Sequence, residues 1–123
     1  MRQILIVDDE IDLARLLAEE LERVGHRARV AADGAEGLAY LRNAVPLPEL
    51  ILLDLEMPVM DGYRFREEQR RHARWRRIPV VAISAVSPRH RPTPDRLDVQ
   101  GWLRKPFDIA VLLDVVRGAP LQV

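Results

Sequence analysis

Polar side chains that could do chemistry follow the apolar segments of this chain, each at the point where a segment ends. The clearest case is the aliphatic run 50–53, which ends in Asp54 and leads into a loop containing Pro58. An ionised carboxylate at the end of a buried strand is costly to desolvate unless a cation meets it there. We therefore expect a site built around Asp54. The full set of such residues is Asp8, Asp9, Asp54, Ser84 and Lys105.

Together these residue types predict phosphoryl chemistry. Three carboxylates at neighbouring strand ends repel one another, and Mg²⁺, a cation that prefers oxygen ligands, relieves that repulsion. A phosphoryl group on Asp54 would give the other residues a role, because the metal and Lys105 would neutralise its oxygens while Ser84 would donate a hydrogen bond to one of them. An aspartate that forms an acyl phosphate is established nucleophilic chemistry.

Lysine usage also singles out Lys105. Of the 19 basic residues, 18 are arginine and Lys105 is the single lysine of the sequence. A lysine ammonium is a compact and mobile charge, whereas an arginine guanidinium is a planar fork. This exception to the arginine bias indicates a specific task at position 105.

Composition narrows the class of protein. A chain of 123 residues, 48% of them hydrophobic, predicts one domain spanning 1–123 with a core of its own. The absence of cysteine excludes disulfides and thiolate metal sites, and the balance of 19 acidic with 19 basic residues argues against direct nucleic-acid binding. No apolar run reaches membrane-spanning length, and the residues before the first strand are too few for a signal peptide. We therefore expect a soluble, cytoplasmic protein without membrane contact.

Apolar periodicity predicts an α/β fold. Short aliphatic runs alternate with segments whose apolar residues recur at three- and four-residue steps. The predicted strands are 4–7, 26–32, 50–54, 78–85 and 102–104, and the predicted helices are 11–24, 35–43, 63–75 and 109–116. Such alternation favours a parallel sheet with right-handed crossovers, in which ligands collect where the strands end. All five polar residues of the predicted site fall at that edge.

Five motifs, in this order and spacing, resemble those of the receiver domains of two-component response regulators. The motifs are Val7-Asp8-Asp9-Glu10, Leu53-Asp54-Leu55-Glu56-Met57-Pro58, Met60-Asp61-Gly62, Ser84-Ala85 and Lys105-Pro106-Phe107. Each motif is weak alone, but their order is specific, and the resemblance covers essentially the whole chain. It implies a doubly wound, flavodoxin-like sheet of five parallel strands in the order 2-1-3-4-5, with flanking helices.

The resemblance implies roles for the acidic residues. Asp54 would accept a phosphoryl group from a histidine kinase or a histidine phosphotransfer protein. Asp9, Asp54 and the main-chain carbonyl of Glu56 would hold Mg²⁺ directly, and Asp8 would contribute through water. Lys105 would pair with the phosphoryl group or with the Asp54 carboxylate.

Two further positions are implied to carry the switch. Ser84 would move towards the phosphoryl group, and Trp102 occupies the position of the family's switch aromatic. The peptide bond before Pro106 is implied to be cis. Such a protein is not an enzyme in the usual sense, because it promotes only its own Mg²⁺-dependent phosphorylation and dephosphorylation. Its target or effector domain and a homodimeric state stay open.

Three features depart from the family pattern. Prolines 88, 92 and 94 predict that the segment 87–98 is a short helix or an irregular loop in place of a full fourth helix. Arg66 and Gln69 stand where aliphatic residues are common, which predicts a loosely packed third helix or contact with a partner. Glu56, two residues after Asp54, can reach over the site, and we expect it to change the lifetime of the phosphoryl group.

Simpler interpretations remain for single residues. Asp8 and Asp9 could have no role beyond capping the first helix, and Ser84 could be an ordinary hydroxyl at the edge of the core. Trp102 could have no role beyond packing at the edge of the sheet. The arginine-rich segment 70–77 is typical of a solvated helix face, offset by nearby glutamates.

Two other functions compete with the phosphorylation switch. One is a phosphorylation-independent interaction domain that keeps the pocket as a scaffold, which the altered segment 87–98 favours and the intact acidic cluster opposes. The other is a Mg²⁺-dependent phosphatase with a nucleophilic aspartate, for which Glu56 is an imperfect second acid.

Overall fold

The computed structural model describes residues 2–85 and 97–118. The strands are β1 (Gln3–Val7), β2 (Arg27–Ala31), β3 (Leu50–Asp54), β4 (Val80–Ser84) and β5 (Gly101–Arg104). The helices are α1 (Ile11–Arg23), α2 (Gly34–Asn43), α3 (Gly62–Arg71) and α4 (Ile109–Gly118). All strand pairs are parallel, and the order across the sheet is β2-β1-β3-β4-β5. The predicted five-stranded doubly wound sheet is confirmed.

The central strands are buried on both faces because helices cover the sheet on each side. Every residue of β3 and β4 is buried. Along β3, Ile51 and Leu53 belong to the core under α2 and α3, whereas Leu50 and Leu52 belong to the core under α1 and α4. This alternation is the two-residue period of a strand, and it explains why β3 reads as a continuous aliphatic run. The position of Asp54 is fixed by this double burial.

The helix ends follow signals that the sequence carries. Gly25 takes the left-handed conformation, with φ of +100°, directly after Val24, the C-cap residue of α1. Asp33 accepts a hydrogen bond from the Glu36 amide at 2.8 Å and caps α2, and Asp61 accepts one from the Arg64 amide at 2.9 Å and caps α3. The starts of α2 and α3 are therefore set by side-chain capping.

The predicted end of α3 is wrong: the helix ends at Arg71 and does not reach Trp75. The side-chain amide of Gln69 explains the early stop, because it donates hydrogen bonds to the main-chain carbonyls of Trp75 at 2.8 Å and Ile78 at 3.0 Å. These bonds hold the chain in a turn that returns it to β4, and His72 stacks on the Trp75 ring in the same turn.

The expected loose packing of α3 is also wrong, because Arg66 and Gln69 are part of the core. Arg66 is 3% exposed and Gln69 is fully buried. The Arg66 guanidinium donates to the Leu97 carbonyl at 3.0 Å, to the Gln69 side chain at 2.8 Å and to the Asp98 carbonyl. Burial lowers the pKa of Arg66 to about 10. These two polar side chains can take core positions because hydrogen bonds to main-chain carbonyls, and between Arg66 and Gln69 themselves, satisfy their buried polar atoms.

Arg66→Ala is expected to destabilise the protein by about 2–4 kcal/mol, because the change removes the buried hydrogen bonds of Arg66 to the Leu97 carbonyl and the Gln69 side chain and opens a cavity. Arg64→Ala is the matched control, since Arg64 lies on the exposed face of the same helix. Urea unfolding monitored by circular dichroism measures both changes. Equal stability of the two variants would contradict the structural role assigned to Arg66.

The predicted irregular segment 87–98 lies outside the described residues except at its end. There, Leu97 is buried and Asp98 has a φ of +50°. Within the described part of the chain, no helix combines the length and the apolar character that crossing a membrane would require.

Candidate functional site

The carboxyl ends of β1, β3, β4 and β5 meet at one edge of the sheet, as the sequence predicts. Main-chain hydrogen bonds fix this edge. The amide of Leu55 donates to the carbonyl of Ile83 at 3.0 Å, and the amide of Lys105 donates to the carbonyl of Ser84 at 2.8 Å. The neighbouring strands therefore deliver the residues that follow them to one place, although those residues are far apart in the sequence.

Three acidic side chains form a compact cluster at this edge. Carboxylate oxygens of Asp8, Glu10 and Asp54 all lie within 4.8 Å of one another. Asp8 is fully buried and Asp54 is 2% exposed, whereas Glu10 is exposed. The Oδ1 atom of Asp54 accepts a hydrogen bond from the Glu56 amide at 3.1 Å, and Oδ1 of Asp8 accepts one from the Glu10 amide at 2.9 Å. These bonds orient the carboxylates and leave each Oδ2 facing the cluster.

Lys105 places its ammonium group among these oxygens. The Nζ atom lies 3.6 Å from Oδ2 of Asp54, 3.8 Å from Oδ2 of Asp8 and 2.8 Å from Oε1 of Glu10. Only the contact with Glu10 is short enough for a hydrogen bond. The single charge of Lys105 is therefore shared among three carboxylates, and its closest partner is the exposed Glu10.

The cluster shifts the pKa values of its members. Burial, followed by the nearby charge of Asp8, raises the pKa of Asp54 to about 7. Burial also raises the pKa of Asp8. Burial disfavours the charged form of Lys105, but its hydrogen bond to Glu10 and the charges of Asp8 and Asp54 outweigh that effect and raise its pKa. One ammonium thus does not fully compensate the acidic groups around it.

The donor set fits a divalent cation. The Oδ2 atom of Asp8 is buried and accepts no hydrogen bond from residues 2–85 or 97–118, although a buried carboxylate oxygen normally has such a partner. Carboxylate oxygens at this spacing are the ligands that Mg²⁺ prefers, and a dication would offset the excess negative charge.

The predicted metal ligands are not all brought together. Asp9, expected as a direct ligand, is exposed and does not belong to the acidic cluster found among residues 2–85 and 97–118. Its role as a ligand stays a prediction, as does that of the Glu56 carbonyl. The cluster instead contains Glu10, which is part of the first motif but for which the sequence predicts no role of its own. The signal was present, because Glu10 is the third acidic residue in a row at the end of β1.

Ser84 contacts a different acidic side chain. It is fully buried at the end of β4, and its hydroxyl lies 3.0 Å from Oε1 and 2.9 Å from Oε2 of Glu56. The amide of Ala85 donates to the same Oε1 at 3.1 Å. The expectation that Glu56 reaches over the site is therefore confirmed, and its carboxylate is anchored to the end of β4.

Trp102 and Pro106 complete the comparison with the predicted site. Trp102 is half-buried and packs against the core under α2 and α3, and its switch role stays a prediction. The peptide bond between Lys105 and Pro106 is cis, as expected.

A close main-chain approach supports the loop after Asp54. A Cβ atom at Gly62 would lie 2.6 Å from the Asp54 carbonyl oxygen and 2.7 Å from Cα of Leu55. The Gly62 amide donates to the Leu55 carbonyl at 3.1 Å. The start of α3 therefore presses directly on the main chain of the acidic residue, which requires glycine at this position.

Gly62→Ala is expected to destabilise the protein by about 1–3 kcal/mol, because main chain rather than a flexible side chain must move to admit the new methyl group. Gly118→Ala is the matched control, since a Cβ there meets no atom of the described residues within 4 Å. Urea denaturation curves compare the two variants. A Gly62→Ala protein as stable as the control would show that the main chain after Asp54 can move at little cost in free energy.

Comparison with known proteins identifies the chain. The family described as response regulator receiver domain matches residues 4–117. The chain belongs to this family. It is thus a receiver domain of the two-component response regulators, a class of signalling domain. Domains of this family interact with histidine kinases and effectors and in general bind Mg²⁺.

Individual relatives agree with this assignment. The response regulator Rre1 of Synechocystis is 34% identical over 121 residues, which cover 94% of this receiver domain and 50% of Rre1. The sensor histidine kinase CheAY of Helicobacter pylori is 31% identical over 115 residues, 93% of this chain but 14% of that protein. The chain therefore spans half or less of these curated relatives.

A solved structure of similar length gives the same result. The chemotaxis response regulator CheY4 of Vibrio cholerae superposes with a TM-score of 0.87 at 30% identity, covering 95% of this chain and 97% of that one. None of the likenesses described here favours the alternative of a phosphorylation-independent interaction domain.

Proposed function

We propose that this receiver domain accepts a phosphoryl group on Asp54 and uses it to switch a signalling surface. The observation that supports this most is the position of Asp54: a buried carboxylate whose Oδ2 faces the ammonium of the single lysine at 3.6 Å. Its other oxygen is held by the Glu56 amide. One oxygen is thus oriented as a nucleophile while the other is fixed by the main chain.

The transfer begins at a phosphohistidine of a partner kinase or phosphotransfer protein. Oδ2 of Asp54 forms a bond to phosphorus as the bond between phosphorus and the imidazole nitrogen breaks. That nitrogen keeps the electron pair of the broken bond and takes up a proton, and Asp54 becomes an acyl phosphate. Lys105 stabilises the negative charge on the transferred oxygens, because a mobile ammonium within reach of Asp54 can follow the phosphoryl group as it arrives.

Mg²⁺ would be held by the acidic residues at the end of β1 together with Asp54. Asp8 and Asp54 have oxygens facing the cluster, Asp9 is the further candidate from the sequence, and the Glu56 carbonyl completes the proposed set. When bound, the ion supplies charge neutralisation for the phosphoryl oxygens. The buried Oδ2 of Asp8, which accepts no hydrogen bond from the described residues, supports this assignment.

The acyl phosphate would then be read by Ser84, whose hydroxyl would donate to a phosphoryl oxygen, and by Trp102 on β5. The domain promotes only its own phosphorylation and dephosphorylation and turns over no foreign substrate. Its kinase, its effector, a homodimeric state and its cytoplasmic location stay predictions. We propose that residues 1–123 form one receiver domain.

Intact mass spectrometry after incubation with Mg²⁺ and acetyl phosphate tests the proposal. We expect the wild-type protein to gain one phosphoryl group and Asp54→Asn to gain none. Chelation of the metal should prevent the gain in the wild type. A modified Asp54→Asn protein would contradict the assignment of Asp54, and continuing hydrolysis of a foreign phosphomonoester would favour a phosphatase.

A further inference from the structure

We propose that the Glu56 side chain is an internal competitor of the phosphoryl group, holding the hydrogen-bond donors at the end of β4 until Asp54 is phosphorylated. This inference rests on the proposed function. It goes beyond a general effect of a nearby charge, because it names the two donors for which the carboxylate and the phosphoryl group compete: the Ser84 hydroxyl and the Ala85 amide.

The contacts are those of an occupied anion site. Both carboxylate oxygens of Glu56 lie within hydrogen-bond distance of the Ser84 hydroxyl, at 3.0 and 2.9 Å, and one of them also accepts from the Ala85 amide at 3.1 Å. Ser84 is fully buried, so its hydroxyl is presented in one direction. Charged acceptors make stronger hydrogen bonds than neutral ones, and a carboxylate and a phosphoryl group offer the same kind of anionic oxygen.

Occupation of these donors is exclusive. A serine hydroxyl carries one proton and an amide carries one, so neither can serve Glu56 and a phosphoryl oxygen fully at the same time. A phosphoryl group also adds negative charge beside the carboxylate, which repels it. Phosphorylation of Asp54 and the contacts of Glu56 with Ser84 and Ala85 therefore oppose each other.

Release of Glu56 is feasible because the residue is exposed. Its amide stays bonded to Asp54, so the main chain can remain in place while the side chain turns into solvent. The result is a two-state device in which one carboxylate stabilises the unphosphorylated state and leaves when a stronger anion takes its donors.

Affinity for beryllofluoride in the presence of Mg²⁺ tests the competition at equilibrium, since this phosphoryl analogue coordinates an aspartate carboxylate without a covalent transfer. Glu56→Gln removes the charge and should tighten binding about tenfold. Glu56→Ala leaves no side-chain group that could donate to the analogue, and it should tighten binding at least as much. Glu67→Gln makes the same change of net charge at an exposed position of α3 and should leave the affinity unaltered.

A double-mutant cycle with Ser84→Ala separates competition for donors from simple charge repulsion. Competition predicts that the effect of Glu56→Gln falls to about threefold or less when the hydroxyl is absent, because one of the two donors named above has then been removed. An effect of Glu56→Gln that is equally large with and without the Ser84 hydroxyl would overturn the inference. The amide resonance of Ala85 should differ between wild type and Glu56→Gln without the analogue and converge when both are saturated.

The outcomes also separate this inference from the proposed function. If the wild type binds the analogue and Glu56→Gln binds it equally well, the competition is wrong and the phosphoacceptor assignment stands. If neither protein binds the analogue with Mg²⁺ present, the proposed function fails and the competition fails with it.

Discussion

Lys105→Ala is expected to slow phosphorylation by acetyl phosphate by about 10²–10³-fold, the typical cost of removing a preorganised group that stabilises transition-state charge. The Lys105 ammonium lies 3.6 Å from the reactive oxygen of Asp54 and within 3.8 Å of Asp8. Without it, negative charge on the transferred oxygens builds up beside carboxylates that have no other cationic side chain paired with them in the described part of the chain. The measurement is the rate of mass gain at saturating Mg²⁺.

Arg104→Ala provides the matched control for the loss of a positive charge. Arg104 is the adjacent residue, and it is exposed on β5. We expect its removal to change the rate by less than about threefold, since exposed charges are screened by water and salt. Circular dichroism should show both variants folded. A Lys105→Ala protein that is folded and phosphorylated as fast as Arg104→Ala would remove Lys105 from the mechanism.

Asp54→Asn is expected to stabilise the metal-free protein at neutral to alkaline pH and to stabilise it less in acid. Burial, followed by the charge of Asp8, raises the pKa of Asp54 from 3.8 to about 7. Between these two values the folded state binds more protons than the unfolded state, so the contribution of Asp54 to stability falls as the pH rises through this window. Asparagine carries no charge and removes this cost.

The expected gain in the free energy of unfolding is larger at about pH 8 than at about pH 5 by roughly 1–3 kcal/mol. Urea titrations with a chelator present measure the difference. Asp33→Asn is the matched control, because asparagine caps a helix as well as aspartate does and Asp33 caps α2. A gain for Asp54→Asn that is the same at both pH values would contradict the raised pKa of Asp54. A gain that is larger in acid would mean that the pKa of Asp54 is lowered in the folded protein.

The fold could be predicted because its signals are local and redundant. The aliphatic run that forms β3 is bounded by prolines, Gly25 marks the end of α1, and Asp61 marks the start of α3. Parallel pairing then follows from the alternation of strands and helices, whereas the strand order was implied by the resemblance to receiver domains. The position of Asp54 and Lys105 at one edge required no knowledge of side-chain contacts, since strand ends alone bring them together.

The errors arise where long-range polar contacts override local patterns. The sequence around Arg66 and Gln69 reads as a weak helix face, but both side chains bind main-chain carbonyls of residues that are distant or beyond the helix. Such bonds depend on the path of segments that the periodicity of α3 does not describe. The end of this helix was misplaced for the same reason.

The acidic cluster shows the same limit at the site. Motif spacing identifies which acidic residues follow β1, but it does not say which of them turns inward. In the structure Asp8 is buried, Asp9 is exposed and Glu10 contacts Lys105. The hydrogen bond from the Glu10 amide to Asp8 fixes this turn, and it is a property of loop conformation that residue types alone do not determine.

The central claim is that Asp54 itself becomes the acyl phosphate, and chemical trapping tests it most directly. Borohydride reduces an aspartyl phosphate to homoserine and leaves an unmodified aspartate unchanged. After incubation with Mg²⁺ and acetyl phosphate, reduction and proteolysis, peptide sequencing by mass spectrometry should find homoserine at position 54 and aspartate at positions 8 and 9. Aspartate retained at position 54, or homoserine at position 8 or 9 in its place, would contradict the account.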